Sequence, residues 1–255
     1  MARVDVILAV RDGAPYLGEA LDSVFRQSLA DLRLIVVDDG STDRTAAVLA
    51  GCADRRLVAL RTPGLGRPAA RNLALARVAA PYTAILDGDD AMQPERLAAQ
   101  AAFLDARPDV AVLGSAVTLV DPAGSILGRL RPPTRPGAIA RLLPRRNCLV
   151  HPACMLRTSA LRAAGGYREQ FPAAQDYDLW LRLLDRGVRF AALAEPLTRY
   201  RVHPAAVSWS GRELQERCAA LARACRRARK LGQPEIMDAA ARSEEHTSEL
   251  QSPNT

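Results

Sequence analysis

Lysine is almost absent from this sequence, in which Lys230 is the only one among 35 basic residues. The formal net charge of +7 is therefore carried by arginine. A protein that binds nucleic acid usually concentrates its basic residues on one face or one helix, with aromatic residues between them. Here the arginines are spread along the whole chain, so we expect no nucleic-acid partner.

The sequence also lacks a C-x-x-C pair and any apolar stretch long enough for a signal peptide or a membrane span. Its five cysteines are odd in number, which indicates neither a disulfide framework nor a zinc site. A reducing compartment fits this pattern. We therefore expect a cytoplasmic protein that lies, at most, peripherally on the inner face of the membrane. Oligomeric state does not follow from the sequence.

The last residues differ from the rest of the chain. The run from Arg242 to Ser252 resembles the conceptual translation of a sequencing-library adapter. We therefore expect residues 242–255 to be a non-native tail that is not part of the fold.

Three carboxylates and one glycine follow an apolar run at the centre of the chain. Residues Tyr82 to Leu86 predict a buried strand, and Asp87-Gly88-Asp89-Asp90 come directly after it. Along an extended backbone Asp87 and Asp89 point to one side and Asp90 to the other, and Gly88 lets a ligand come close. Two such carboxylates suit Mg²⁺ or Mn²⁺ completed by phosphate oxygens. From these residues alone, an acidic surface turn is an equally open interpretation.

Apolar runs alternate with helical patterns throughout the first half. The runs 4–10, 32–37, 57–60 and 82–86 predict strands, and the segments between them show helical spacing of apolar residues. This alternation predicts an α/β fold with a mixed, mostly parallel sheet and helices on both faces. In such sheets ligands bind beyond the carboxyl ends of the strands. The strand ends at Val10, Asp38-Asp39 and Asp87 should therefore converge.

The pattern changes near residue 115. A turn at Asp121 to Gly124 between apolar runs 110–120 and 126–130 predicts a hairpin, and a helix begins near Asp176 and ends at Gly187. A strand is expected at 197–202 and an arginine-rich helix at 213–231. We expect residues 1–115 and 116–210 to be two halves of one domain, followed by a C-terminal helical segment at 211–241.

Six segments in this order resemble a family-2 glycosyltransferase of the GT-A fold. They cover about four-fifths of the chain. The segments are Val6 to Gly13, Ala20 to Ser28, Ile35 to Asp43, Gly66 to Asn72, Leu86 to Asp90 and Gln175 to Arg182. The GT-A fold is a Rossmann-like fold of enzymes that use nucleoside-diphosphate sugars.

The resemblance implies a reaction and its partners. A sugar moves from a nucleoside-diphosphate sugar, with UDP the expected nucleotide, to a hydroxyl of a saccharide, lipid-linked or other acceptor. The reaction is expected to be inverting and to need a divalent metal, Mn²⁺ or Mg²⁺. Bacterial cell-envelope polysaccharide biosynthesis is the expected setting. Residues 1–115 would then bind the nucleotide sugar and residues 116–210 the acceptor.

The resemblance also implies site residues. Asp39 would accept from the pyrimidine base, Asp87 would contact the ribose, and Arg71 and Val10 would contact the nucleotide. Without the motif, Arg71 would be taken for a solvated helix arginine.

The metal and the acceptor hydroxyl complete the implied site. Asp89 would hold the metal, with the late His203 reaching the metal or the diphosphate. Asp176 would be the catalytic base, although an aspartate at a helix start is also a common cap, a role open to Asp178 as well. An ordinary aspartate is ionised at pH 7, and a helix N-terminus favours that form further. Gln175 stands where the family usually has Glu.

Other functions compete with this interpretation. Gly64 to Ala69 fits G-x-G-x-x-A, but this dinucleotide fingerprint should follow the first strand and here follows the third. A haloacid-dehalogenase-like phosphatase would use Asp87 as nucleophile, yet no suitable lysine exists. A catalytically inactive nucleotide-sugar binder, or a truncated fragment, is the non-enzyme alternative.

His151 matches a recurrent family segment without an assigned role. The helix at 213–231 could touch an anionic membrane, but we favour a packing helix.

Overall fold

A computed structural model describes residues 2–135, 137–203 and 211–235. The expected non-native tail, and the end of the expected C-terminal segment, lie outside these residues. The strands are β1 Val4–Val10, β2 Leu32–Asp39, β3 Leu57–Thr62, β4 Tyr82–Ile85, β5 Ala91–Met92, β6 Val110–Val120, β7 Ile126–Leu130, β8 Met155–Arg157 and β9 Arg189–Arg201. The helices are α1 Ala14–Phe25, α2 Thr45–Ala50, α3 Arg67–Arg77, α4 Arg96–Ala106, α5 Ala138–Leu142, α6 Thr158–Ala163, α7 Gln175–Asp185 and α8 Arg212–Lys230, with a 3-10 turn at His151–Ala153.

The nine strands in the described part of the chain form one mixed sheet. Their order is β3-β2-β1-β4-β8-β6-β9-β5, and β7 pairs with β6. The first four of these are mutually parallel, whereas β8 runs antiparallel to both β4 and β6. The carboxyl ends of β1, β2 and β4 therefore meet at one edge, as the sequence predicts.

Both faces of the sheet are covered, which explains why its strands read as continuous apolar runs. Neighbouring residues of one strand belong to different core clusters: Ile7 packs on one side with Ile35, and Leu8 packs on the other with Val36. Each strand thus needs apolar residues at successive positions rather than at alternate ones.

Asp5 is the polar exception within β1. It is buried at the amino edge of the sheet, where Arg33 Nε and Nη2 donate to its two oxygens at 2.8 and 2.7 Å. The backbone N–H groups of Ala79 and Ala80 donate to its Oδ2 at 2.6 and 2.9 Å. Burial raises the pKa of Asp5, but these donors outweigh it and lower the pKa below its ordinary value.

The second half of the chain extends the same sheet. The hairpin of β6 and β7 has the predicted bounds. The strand predicted at 197–202 is longer than expected, because β9 already begins at Arg189 and pairs with β6 along nearly its whole length. The expected boundary near residue 115 lies within β6, so both halves contribute to one continuous sheet.

Helix α8 packs against α7. Cys218, Ala222 and Cys225 are buried in the same core cluster as the apolar face of α7. Asp185, at the end of α7, pairs with Arg226 at 2.9 Å and with Arg229 at 3.0 Å. No helix in the described ranges is long and apolar enough to cross a membrane.

Candidate active site

The acidic loop after β4 presents two carboxylates at the carboxyl edge and buries a third. The side chains of Asp87 and Asp89 are 30% and 32% exposed. Asp90 is buried, and the backbone N–H of Arg201 donates to its Oδ1 at 2.8 Å. The strand ends at Ile85, and the Asp90 N–H donates to the Asp87 carbonyl. A tight turn, rather than the expected extended backbone, thus separates Asp90 from the other two.

Gly88 in this loop packs closely against Val10. A Cβ at Gly88 would lie 3.0 Å from Cγ2 of Val10, and a Cβ at Gly13 would collide with the same atom. The buried Val10 side chain therefore sets the spacing between the loop after β1 and the acidic loop. A ligand contact at Val10 would have to use its backbone.

Arg71 of α3 lies under the acidic loop. It is only 2% exposed, and its Nη2 donates to Asp87 Oδ1 at 2.6 Å. Its Nη1 is buried and has no hydrogen-bond partner among the described residues. Burial raises the pKa of Asp87, but the positive charges of Arg71 and Arg67 outweigh it and lower that pKa. The structure thus excludes a solvated helix arginine at position 71, and leaves a donor nitrogen free beside Asp87.

Asp89 and His203 come together from opposite halves of the chain. Nε2 of His203 lies 3.0 Å from Asp89 Oδ2, and the His203 ring lies 5.2 Å from that of Tyr16. Burial, and then the negative charge of Asp87, raises the pKa of Asp89 above its ordinary value. The hydrogen bond with His203 offsets this only in part. An added positive charge at this point would stabilise the carboxylate.

A divalent cation fits this pair of side chains. Carboxylate oxygen and imidazole nitrogen are both ligands of Mn²⁺, and carboxylates also bind Mg²⁺. Within the described ranges no three His, Cys, Asp or Glu side chains form a cluster suited to a metal ion. Water and phosphate oxygens, which usually complete the coordination of Mg²⁺, could supply further ligands.

Asp39 at the end of β2 is held by the loop that follows β3. Its Oδ1 accepts from Thr62 Oγ1 at 2.6 Å and from Leu65 N at 2.7 Å, and its Oδ2 accepts from Gly66 N at 2.9 Å. The glycine-rich segment that matched the dinucleotide fingerprint thus binds a carboxylate of the protein itself. Since a carboxylate offers about four acceptor positions, Oδ2 retains capacity for one more donor.

Asp176 lies partly exposed in the first turn of α7. Asn147 Nδ2 donates to its Oδ2 at 2.8 Å. Burial raises the pKa of Asp176, although Asn147 and Arg71 act in the opposite direction. Desolvation therefore outweighs the stabilisation of the charged form that the helix N-terminus was expected to give. A carboxylate with a raised pKa is a better proton acceptor near neutral pH.

Asp178 and Gln175 lie near Asp176 in α7, but neither caps the helix. No side chain caps α7, whose N-cap position is Ala174. Asp178 is buried and accepts from Arg182 Nε at 2.8 Å, so it is not the cap that the sequence left open. Gln175 is 4% exposed, and its Oε1 has no hydrogen-bond partner within the described part of the chain.

Arg67, which the sequence analysis did not single out, connects these groups. It opens α3, and its charge interacts with Asp87, Asp89 and Asp176. Burial, followed by the charge of Arg71, lowers the pKa of Arg67. The acidic loop and the N-terminus of α7 therefore lie near one another, on either side of Arg67.

Two more buried arginines, which the sequence did not predict, hold the segments around the acidic loop together. Arg96 is fully buried, and its guanidinium donates to the carbonyls of Ile85, Pro152 and Cys154. Arg201 donates from Nε to the Asp89 carbonyl at 3.0 Å. Neither has a sequence signal, because each arginine is bonded to residues distant in the chain.

His151, left without a role, is a core residue. Its Nε2 lies 2.9 Å from the hydroxyl of Tyr167, and burial lowers its pKa well below the ordinary value. The ring is therefore neutral at pH 7.

The chain is similar to glycosyltransferases in sequence. The profile of the family described as glycosyl transferase family 2 matches residues 5–164. An uncharacterized glycosyltransferase of Methanocaldococcus jannaschii is 30% identical over 205 residues, covering 78% of this chain and 70% of the relative. The O-antigen biosynthesis glycosyltransferase WbnJ of Escherichia coli is 30% identical over 206 residues, covering 78% of this chain and 80% of the relative.

The fold is similar to that of solved GT-A glycosyltransferases. S. aureus TarS 1-349 in complex with UDP has a TM-score of 0.67 at 22% identity, covering 87% of this chain and 65% of that one. The mannosyltransferase PcManGT from Pyrobaculum calidifontis, in complex with GDP-Man and Mn²⁺, has a TM-score of 0.66 at 19% identity, covering 89% and 64%. This chain thus spans just under two-thirds of each. The fold class and family expected from the sequence are confirmed: the chain belongs to glycosyl transferase family 2 and is a glycosyltransferase with the GT-A fold.

Proposed function

We propose that this enzyme transfers a sugar from a UDP-sugar to an acceptor hydroxyl by direct displacement, with inversion and with a divalent metal. One observation carries the proposal. Asp87 bonded to Arg71, Asp89 beside His203, and Asp176 bonded to Asn147 lie near one another beyond the carboxyl ends of the strands. The charge of Arg67 interacts with all three carboxylates. Residues 1–115 would bind the donor and residues 116–210 the acceptor.

The donor would be held by the partly bonded groups of the first half. Asp39 Oδ2 accepts an N–H of the pyrimidine base, and Asp87 accepts from the ribose. Arg71 donates to the nucleotide through Nη1, which is buried without a partner in the described residues. The backbone at Val10 lines the same pocket. The complexes of TarS with UDP and with UDP-GlcNAc, and of PcManGT with GDP-Man, support a nucleotide-sugar donor.

Asp176 would act on the acceptor. Its carboxylate takes the proton of the acceptor hydroxyl, whose oxygen then forms a bond to the anomeric carbon. The bond between that carbon and the diphosphate oxygen breaks, and its electron pair leaves with the nucleoside diphosphate. A divalent cation bound by Asp89 and His203 would supply positive charge for the departing diphosphate.

The test is a calorimetric titration of the protein with UDP, with and without Mn²⁺. We expect Mn²⁺ to strengthen UDP binding in the wild type, and to have little effect in Asp89→Ala and a reduced effect in His203→Ala. Asp22→Ala, an exposed carboxylate on α1, is the matched control. Equal metal dependence in Asp89→Ala would refute the metal assignment.

Turnover separates this proposal from an inactive binder. A radiolabelled donor panel with UDP-GlcNAc and GDP-mannose would be assayed for transfer and for slow hydrolysis. Metal-dependent binding of nucleotide without either reaction would indicate a nucleotide-sugar-binding protein.

A further inference from the structure

The chain contains a long stretch without a single acidic residue. No Asp or Glu occurs between Asp121 and Glu169, and the 47 residues in between include nine arginines. Part of this stretch, α5 and the turn after it, leads directly to Asn147. This excess of positive charge therefore lies beside Asp176, the proposed catalytic base.

The end of this segment is anchored on the catalytic helix. Ile139 and Leu143 are buried in the core shared with α7, and the Tyr177 hydroxyl donates to the Leu143 carbonyl at 2.7 Å. Asn147 then donates to Asp176 at 2.8 Å. Both ends of the short segment 143–147 are thus bonded to the first turn of α7.

Three arginines on α5 and the turn after it are placed to bind a ligand. Arg141, Arg145 and Arg146 are exposed. Arg145 Nη1 donates to the Arg141 carbonyl at 3.2 Å, and none of the three pairs with a carboxylate in the part of the chain that the structure describes. Arg223 of α8 adds a fourth positive charge next to Tyr177. Like charges held together in this way favour an anionic ligand.

We propose that Arg141, Arg145 and Arg146 bind acidic groups of the acceptor, so that the enzyme glycosylates a saccharide carrying phosphate or carboxylate groups. Guanidinium groups match both anions in geometry and charge. The inference rests on the proposed role of Asp176, because it places the acidic groups beside the hydroxyl that loses its proton. The surface is not suited to membrane insertion, since Ile139 and Leu143 are buried and Leu142 is partly buried.

Binding of two tetrasaccharides tests this assignment. The wild type, with UDP and excess Mg²⁺ present to fill the donor site, is titrated with tetragalacturonate and with neutral maltotetraose, and tripolyphosphate serves as the phosphate probe. We expect a preference for the anionic probes that weakens with added salt. The triple variant Arg141→Gln/Arg145→Gln/Arg146→Gln should bind them about tenfold more weakly, because each exposed ionic contact contributes little by itself.

The matched control is Arg77→Gln/Arg186→Gln. Both arginines are exposed and lie at the far ends of α3 and α7, the helices whose first turns carry Arg67 and Asp176. This variant should keep the preference. Equal loss in the control, or no anion preference in the wild type, would overturn the proposal, as would binding to phosphatidylglycerol vesicles but not to the soluble probes. If the wild type did not bind UDP, that result would instead refute the proposed function.

Discussion

Carboxylates at the two edges of the sheet are in opposite situations. At the amino edge Asp5 is buried and bonded to Arg33 and two backbone N–H groups, and its pKa is lowered. At the carboxyl edge Asp89 and Asp176 are partly exposed, have one side-chain partner each among the described residues, and have raised pKa values. A fully bonded carboxylate stabilises the fold, whereas an incompletely bonded one in a cleft is available to a ligand or a proton.

The largest effect expected at the carboxyl edge is on turnover. Asp176→Asn removes the proton acceptor but keeps its shape, so kcat should fall about a thousandfold while UDP affinity stays unchanged. Steady-state kinetics and calorimetry on the same preparation check this. Loss of UDP binding, or a lower melting temperature, would point to a structural role.

The largest effect expected at the amino edge is on stability. Asp5→Ala leaves a half-buried Arg33 without its partner, and should lower the free energy of unfolding by about 3 kcal/mol in urea titrations at pH 7. Asp5→Asn, which keeps an acceptor oxygen, should lower the free energy of unfolding by less. Since the folded pKa lies below the ordinary 3.8, the wild-type contribution is present above that pH and is lost as pH falls through the folded pKa. The Asp5→Ala variant should lack this acid-dependent component.

Asp89→Ala provides the contrasting stability measurement. Because burial and Asp87 already disfavour this charge, its removal should change the free energy of unfolding by less than about 0.5 kcal/mol. The same urea titration serves for both edges. A loss as large as that of Asp5→Ala would erase the distinction between them.

The smallest effect that we expect is a shift in the pH dependence of kcat/KM. Asp176 must be ionised to accept a proton, so kcat/KM falls as pH drops through its pKa. Asn147→Ala removes a hydrogen bond that lowers this pKa, and should move the acidic limb to higher pH. Arg186→Gln is the control with no expected shift. An unchanged limb in Asn147→Ala would show that Asn147 does not tune the base.

Strands with continuous apolar residues and their acidic ends were predictable from sequence. The bounds of β1, β6 and β7 were predicted correctly, because burial on both faces or a sharp turn marks them. The first part of β9 was missed. Its residues Arg189 to Glu195 are only partly buried and contain charged side chains, so only pairing with β6 makes them a strand.

Buried arginines could not be predicted, since their partners come from distant parts of the chain. Arg96 reads as an ordinary surface residue of an amphipathic helix, yet it bonds to carbonyls of β4 and of the segment before β8. Arg71 was recognised only by resemblance to the family, and Asn147 has no motif at all. The family pattern identifies groups expected to meet the donor, but not the side chains that orient them.

Strand β6 has a consequence for dividing this enzyme into pieces. It pairs with β7, β8 and β9, and β8 in turn pairs with β4 of the first half. A cut near residue 115 would sever this strand and expose unpaired backbone in both fragments. A split reporter or an inserted domain is better placed at the turn Asp121 to Gly124, where the ladder is already interrupted and the two halves stay joined.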